Sequence, residues 1–387
     1  MKKTILFVID SLDCAGAEKS LISLLYLLDY SEYSVDLMLF AHGKMLENLV
    51  PKEVNVLKPL KYTNFARMDL KKAFISSFIK NDYKMLKARI KYSISIRKNN
   101  FNNAQKARIF WESISNVIEK NPKLYDIAIS YAQGVPTFYV SEKINAKKKF
   151  AWVNTSYKLD ENEKNFQKSF YDRFNNIVAV SKTAEKILLE TFPYYYSKTK
   201  VIYDINNPNL IFKLAKIGKS YNDDYQGIRI LTIGRLSPGK GYDLALKACK
   251  MLKEKGVIFK WYVLGKGPLQ KEIERSVKEN ELIDNFVLLG VEANPYTFIQ
   301  NADIYVQTSR FEGYGLAIAE ARMLNVPVVT TRFDSVFNQM INEKNGLVVD
   351  MSAEAVYEGV LKLIENLTLR DEIIKYLMAE KKVMWRS

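Results

Sequence analysis

Apolar residues gather along this chain in short solid runs that alternate with stretches of helical spacing. Thr4–Ile9 predicts a buried strand, and Ala17–Tyr30 a helix with Leu21, Leu24, Leu25 and Leu28 on one face. Val35–Phe40, Ile127–Tyr131, Phe150–Val153 and Ile177–Val180 predict further strands. The last of them leads into a helix capped by Ser181, with Glu185 in its first turn. Val201–Ile205 closes this half, and Asn206–Asn209 with the polar stretch Tyr221–Gly227 reads as a linker. The second half restarts with strands at Ile228–Ile233, Phe259–Leu264, Phe286–Leu289, Ile304–Gln307, Val326–Thr330 and Leu347–Val349. Helical patterns separate them at Leu244–Lys255, Leu269–Glu279, Leu316–Leu324 and Ala355–Asn366. This alternation predicts an α/β protein of two doubly wound domains, 1–205 and 227–387, joined by residues 206–226. Such a pair would place a ligand cleft between the carboxyl ends of two facing sheets.

Composition narrows the field. Of 387 residues, 48% are apolar and 26% charged, which excludes wholesale disorder. The longest apolar run, Leu21–Leu28, is broken by Ser23 and falls short of the roughly 18 residues of a membrane-spanning helix. Lys2 and Lys3 precede an apolar stretch as in a signal peptide, but Asp10 ends that stretch too early. Cys14 resembles a lipoprotein site only loosely, because Asp13 precedes it, so the stretch reads as a first buried strand. Cys14 and Cys249 offer no disulfide framework, and a reducing cytoplasm fits. His42, the only histidine, excludes multi-histidine zinc sites. With Gly43 just after a strand-like run, it fits a site residue or an ordinary loop histidine.

The net charge of +15 is unevenly placed. Residues 1–200 hold 33 Lys and Arg against 20 Asp and Glu, while the rest hold 25 against 23. Residues 71–108 carry eleven basic residues and one acid, Asp82, interleaved with Phe74, Ile75, Phe78, Ile79, Met85, Leu86, Ile90, Tyr92 and Ile96. A basic amphipathic segment of this kind can lie on an anionic membrane, grip nucleic-acid phosphates, or be a solvated helix pair packed on its own domain. No nucleic-acid reading motif accompanies the charge.

Three constellations fall at strand ends. Ser11-Leu-Asp-Cys-Ala-Gly-Ala-Glu18 is a turn that opens a helix, where Gly16 permits close backbone approach to an anion. Ile233-Gly-Arg-Leu-Ser-Pro-Gly-Lys-Gly241 holds Arg235 and Lys240 on a turn beside free helix amides. A planar fork and a point charge there suit a diphosphate, or are two solvated cations on a glycine-rich turn. Ser309-Arg-Phe-Glu-Gly-Tyr-Gly-Leu-Ala-Ile-Ala-Glu-Ala321 sets Glu312 eight positions before Glu320. Glu320 stands among Ala317, Ala319 and Ala321, where a carboxylate is costly unless a hydroxyl-rich ligand or a cation meets it.

The last segment resembles the Glu-x7-Glu signature of retaining glycosyltransferases with the GT-B fold, specifically glycosyltransferase family 4. I-G-R-L-S-P-G-K-G is similar to the family's diphosphate-binding turn, and S-L-D-C-A-G-A-E to its N-terminal glycine loop. Val201–Asn207 resembles the stretch leading into its interdomain linker. The resemblance implies that Glu312 holds donor-sugar hydroxyls beside the amides of Gly313, Tyr314, Gly315 and Leu316. It implies that Glu320 binds the ribose, that Arg235 and Lys240 neutralise the diphosphate, that Gly16 faces it, and that Leu289 and Val291 border the base. No metal and no cofactor are implied, because the two cations supply that stabilisation. Ala151-Trp-Val-Asn-Thr155 departs from the pattern: many relatives carry a histidine there, and Asn154 can hydrogen-bond a sugar but cannot take up a proton.

The resemblance thus implies a hexosyltransferase-type enzyme. It would move sugar from a nucleotide-diphosphate sugar, a UDP-sugar, to a polyprenyl-diphosphate-linked glycan in bacterial capsule, O-antigen or exopolysaccharide synthesis. With no nucleic-acid partner, residues 71–108 are expected to touch anionic lipid at the inner face of the cell membrane. A nucleotide-sugar epimerase or phosphorylase of the same fold, or a catalytically silent scaffold subunit, stays open.

Overall fold

The computed structural model describes residues 2–79, 81–97, 100–154 and 159–384, with side chains up to Glu380. Thr155, part of the departing segment above, and the tail beyond Lys381 whose course the sequence leaves open lie outside these described side chains, as do Lys80 and Lys98 of the basic segment. The chain divides into two compact units, the first ending at Ile205 and the second beginning at Asn206.

In the first unit, seven strands form a parallel sheet in the order β3-β2-β1-β4-β5-β6-β7. They are β1 (Lys3–Ile9), β2 (Tyr33–Leu39), β3 (Asn55–Val56), β4 (Leu124–Ser130), β5 (Asn145–Val153), β6 (Asn176–Ala179) and β7 (Thr199–Val201). The helices are α1 (Gly16–Leu27), α2 (Lys61–Arg67), α3 (Leu70–Ile79), α4 (Lys84–Ser95), α5 (Asn103–Ile114), α6 (Val135–Lys143), α7 (Glu161–Tyr171) and α8 (Lys182–Thr191). Helices cover both faces, so Ile5–Ile9 is buried without alternation. Ser181 caps α8 by accepting from the Ala184 amide at 3.1 Å. The stretch Val201–Ile205, expected to close this half, follows the last strand: β7 ends at Val201, the Ile202 amide still donates to the Ala179 carbonyl at 3.0 Å, and Ile202 and Tyr203 are 40% and 42% exposed. The basic segment forms three helices, α3, α4 and the start of α5, rather than a pair. Trp111 and Ile114 of α5 enter the core beside Phe138 and Tyr171.

In the second unit, six parallel strands run in the order β10-β9-β8-β11-β12-β13. They are β8 (Ile228–Ile233), β9 (Phe259–Leu264), β10 (Phe286–Gly290), β11 (Ile304–Gln307), β12 (Val328–Thr331) and β13 (Leu347–Val349). Helices α9 (Pro208–Ala215), α10 (Tyr242–Glu254), α11 (Gln270–Glu279), α12 (Tyr296–Gln300), α13 (Leu316–Met323), α14 (Ala353–Glu365) and α15 (Leu367–Met384) complete it. Residues 206–226, expected as a linker, carry α9, whose Leu210, Ile211 and Leu214 are buried. Asn294 Nδ2 donates to the Leu214 and Ile217 carbonyls at 2.8 and 2.7 Å, and Tyr221 donates to the Phe298 carbonyl at 3.0 Å.

Chain order reverses between β1 and β4 in the first sheet and between β8 and β11 in the second. At such a switch point the connections leave in opposite directions and open a crevice at the strands' carboxyl ends. This is the GT-B fold.

Candidate functional site

The switch point of the second unit is where the turn after β8 meets the turn after β11. Gly241, the N-cap of α10, sits at φ +64°, and a Cβ there would collide with the Thr308 carbonyl oxygen. That close approach lets Thr308 Oγ1 donate to the Lys240 carbonyl at 2.9 Å and the Arg310 amide to the Gly239 carbonyl at 2.8 Å. The Arg310 guanidinium adds two bonds to Asp243, at 2.9 and 2.7 Å.

The consequence is a carboxylate held among donors. Glu312 Oε1 accepts from Lys240 Nζ at 2.5 Å, from Ser309 Oγ at 2.6 Å and from Gln307 Nε2 at 3.0 Å. Gln307 is itself aimed by Tyr305, whose hydroxyl donates to Gln307 Oε1. Burial pushes the fully enclosed Tyr305 phenol well up, so it remains a donor. Three donors saturate Oε1. Among the described residues Oε2 takes no hydrogen bond.

The backbone beyond Glu312 is pinned as firmly. Ser335 Oγ donates to the Glu312 carbonyl at 2.9 Å, and Gln339 Nε2 donates to the Tyr314 carbonyl and, at 3.1 Å, to that of Gly315. Gly315, at φ +85°, is the N-cap of α13, so Gly313–Leu316 leads into the positive end of that helix. Glu320, little more than one turn into α13, is wholly buried and accepts from Tyr296 of α12 at 3.0 Å. The carboxylate that the alanine-rich face left unexplained therefore meets a phenol donor.

Of the residues expected from sequence, the structure brings Lys240 and Glu312 into contact. Arg235 stands exposed at the start of the same turn, without an ion pair among the described residues. Leu289 and Val291 flank Gly290, half-buried at the carboxyl end of β10. Gly16 opens α1 after β1, exposed, on the first unit's own switch point. Asn154 follows the last residue of β5 in that unit, where its Nδ2 donates to the Tyr131 carbonyl at 2.7 Å and its buried Oδ1 has no partner among the described residues. His42 is a loop residue 3.8 Å from Glu47. Among the described residues no three His, Cys, Asp or Glu side chains cluster as a metal site. Tyr305, Gln307, Ser309, Ser335, Gln339 and Tyr296 were not singled out from sequence. The one available signal was the polar Gln307-Thr308-Ser309 closing an apolar strand, all of it buried.

Residues 216–378 match the family model of Glycosyl transferases group 1. The match falls within the second unit and takes in the turns after β8 and β11. The whole chain resembles the structure of Anabaena HepE in complex with UDP and glucose, with a TM-score of 0.65 at 17% identity, over 98% of this chain and 94% of that one. Among curated proteins, it is 27% identical over 202 residues to N-acetylgalactosamine-N,N'-diacetylbacillosaminyl-diphospho-undecaprenol 4-alpha-N-acetylgalactosaminyltransferase of Campylobacter jejuni. It is 29% identical over 164 residues to the capsular polysaccharide biosynthesis glycosyltransferase CapM of Staphylococcus aureus. These alignments span 52% and 41% of this chain, and 53% and 41% of the relatives' lengths.

Proposed function

We propose that the protein is a retaining, metal-independent glycosyltransferase that takes sugar from a UDP-sugar. The observation that carries this reading is the Lys240–Glu312 pair at the switch point of the unit that matches the Glycosyl transferases group 1 model. Lys240 and Arg235 are the cations that neutralise the departing diphosphate, and Gly16 is its contact from the first unit. Glu312 offers Oε2 to donor-sugar hydroxyls beside the amides of Gly313, Tyr314, Gly315 and Leu316. Glu320 takes the ribose, and Leu289 and Val291 border the base. Catalysis is electrostatic: charge developing on the leaving group meets a fixed cation and helix amides, and the acceptor attacks the face the diphosphate leaves. Asn154 is a sugar-side hydrogen-bonding residue with no acid–base role.

The acceptor we infer is a polyprenyl-diphosphate-linked glycan in bacterial surface polysaccharide synthesis, in line with the diphospho-undecaprenol named for the Campylobacter relative and the capsule named for CapM. Work on such an acceptor places the protein in the cytoplasm at the inner membrane face, with the basic segment 71–108 against anionic lipid.

Titration calorimetry with UDP, ADP and GDP in EDTA tests the donor. We expect UDP to bind best without metal. Binding of another nucleotide would change the donor class, and binding of none would favour a silent scaffold. Glu312→Ala is expected to lower turnover at least about 100-fold while UDP affinity stays within about threefold. A fully active variant overturns the assigned role. Conversion of donor without acceptor would mark an epimerase, and a requirement for inorganic phosphate a phosphorylase.

A further inference from the structure

Helix α3 is turned inside out relative to an ordinary surface helix. Its inward residues are small: Ala73 and Ser77 are 0% and 2% exposed, and Ala73 packs with Phe65 and Leu86. Its large apolar residues point outward, with Leu70, Phe74 and Phe78 at 65, 57 and 69% exposure along one stripe. Ile75 and Ile79, at 47 and 75%, form the adjoining stripe, and with Met68, Lys72 and Ser76 they line a shallow groove. A soluble helix normally does the reverse, burying its long side chains and exposing its small ones.

Charge identifies what covers this face. Lys71 and Lys72 lie on α3, and Lys84, Lys87, Arg89 and Lys91 on α4, against Asp69 and Asp82. A second copy of the chain would set one strongly basic segment against another. Nucleic acid would satisfy the cations and could stack on Phe74 and Phe78, but it would leave Leu70, Ile75 and Ile79, which carry no ring, facing water. Hydrocarbon beneath anionic phosphates satisfies both halves of the surface.

We propose that α3 inserts its Leu70–Phe74–Phe78 stripe into the interfacial zone of an anionic bilayer, with the lysines of α3 and α4 at headgroup level. This rests on the membrane reading of residues 71–108 and deepens it, since adsorption by charge alone requires no insertion. The full-length protein is tested by co-sedimentation with phosphatidylcholine vesicles, with and without 30% phosphatidylglycerol. Wild type is expected to bind the anionic vesicles and to keep a substantial part of that binding in about 0.5 M salt, where surface charges are screened. Phe74→Ser with Phe78→Ser removes side chains that are 57 and 69% exposed and is expected to weaken binding at least about tenfold and make the remainder salt-sensitive. Phe78→Trp is expected to gain fluorescence that brominated lipid quenches, beyond any quenching of the native tryptophans. Anionic binding without that quenching, or with the double serine variant unchanged, overturns insertion and leaves adsorption standing. No vesicle binding, with concentration-dependent dimers or nucleic-acid capture in its place, overturns both.

Discussion

At the scale of single residues, the site depends on a glycine that no functional argument would have chosen. Gly241 touches no proposed ligand, yet its missing Cβ lets the turn after β8 lie against the turn after β11. Any side chain there meets the Thr308 carbonyl oxygen and is strained at φ +64° besides. Gly241→Ala is therefore expected to destabilise the protein by about 2–4 kcal/mol and to weaken UDP binding through displacement of Lys240. Thermal unfolding and calorimetry check both. An unchanged unfolding midpoint with unchanged affinity would mean that the two turns are not coupled through this contact. Lys240 and Glu312 were singled out in the sequence by their place on turns after strands and by the family resemblance, and the fold brings the two side chains together. The residues that hold them were not, because Gln307, Ser309 and Tyr305 act through distances that only the fold creates. Glutamine at the end of a strand is ordinary until a buried phenol is found behind it.

Among the elements, the strands of both sheets were largely legible, since a buried parallel strand is a solid apolar run with turn residues at each end. Connections that bury only part of one face were less so. The linker reading rested on Asn206–Asn209 and the polar stretch Tyr221–Gly227, yet between them α9 docks through Leu210, Ile211 and Leu214, and the following segment is fastened by Asp223. That carboxylate accepts from Tyr262 at 2.5 Å and Lys260 at 3.0 Å, with Arg229 3.3 Å away. Burial works against its ionisation, but the bonds from Tyr262, Lys260 and Arg229 outweigh that and hold it near pKa 2. The folded value lies below the usual unfolded value of about 4, so its contribution is complete above about pH 4 and lost as pH falls toward 2. Asp223→Asn is expected to lower the unfolding midpoint at pH 6 and to flatten the dependence between pH 4 and 2. Parallel pH profiles for the two proteins would remove Asp223 from the fastening.

For the whole molecule, charge and proposed chemistry are divided between the units. The first 200 residues hold a large basic excess and the remainder is nearly neutral, while Lys240, Glu312, Glu320 and Arg235 all belong to the second unit. That unit has its own six-stranded sheet and its own core, centred on Ile230, Trp261, Val306 and Val356. Gly16 is the only proposed diphosphate contact that it lacks, and a glycine contributes a backbone approach rather than a charge. Residues 206–387 expressed alone are therefore expected to fold and to bind UDP within about tenfold of the full chain, a difference of about 1.4 kcal/mol. They are expected to show no transfer, because Asn154 and the basic segment remain with the first unit. Circular dichroism and calorimetry on the isolated unit decide the matter. A folded unit that binds more than about 100-fold weaker would assign the first unit a far larger share of the donor than one glycine can supply. The search for that share would then begin at the carboxyl ends of β1 and β4.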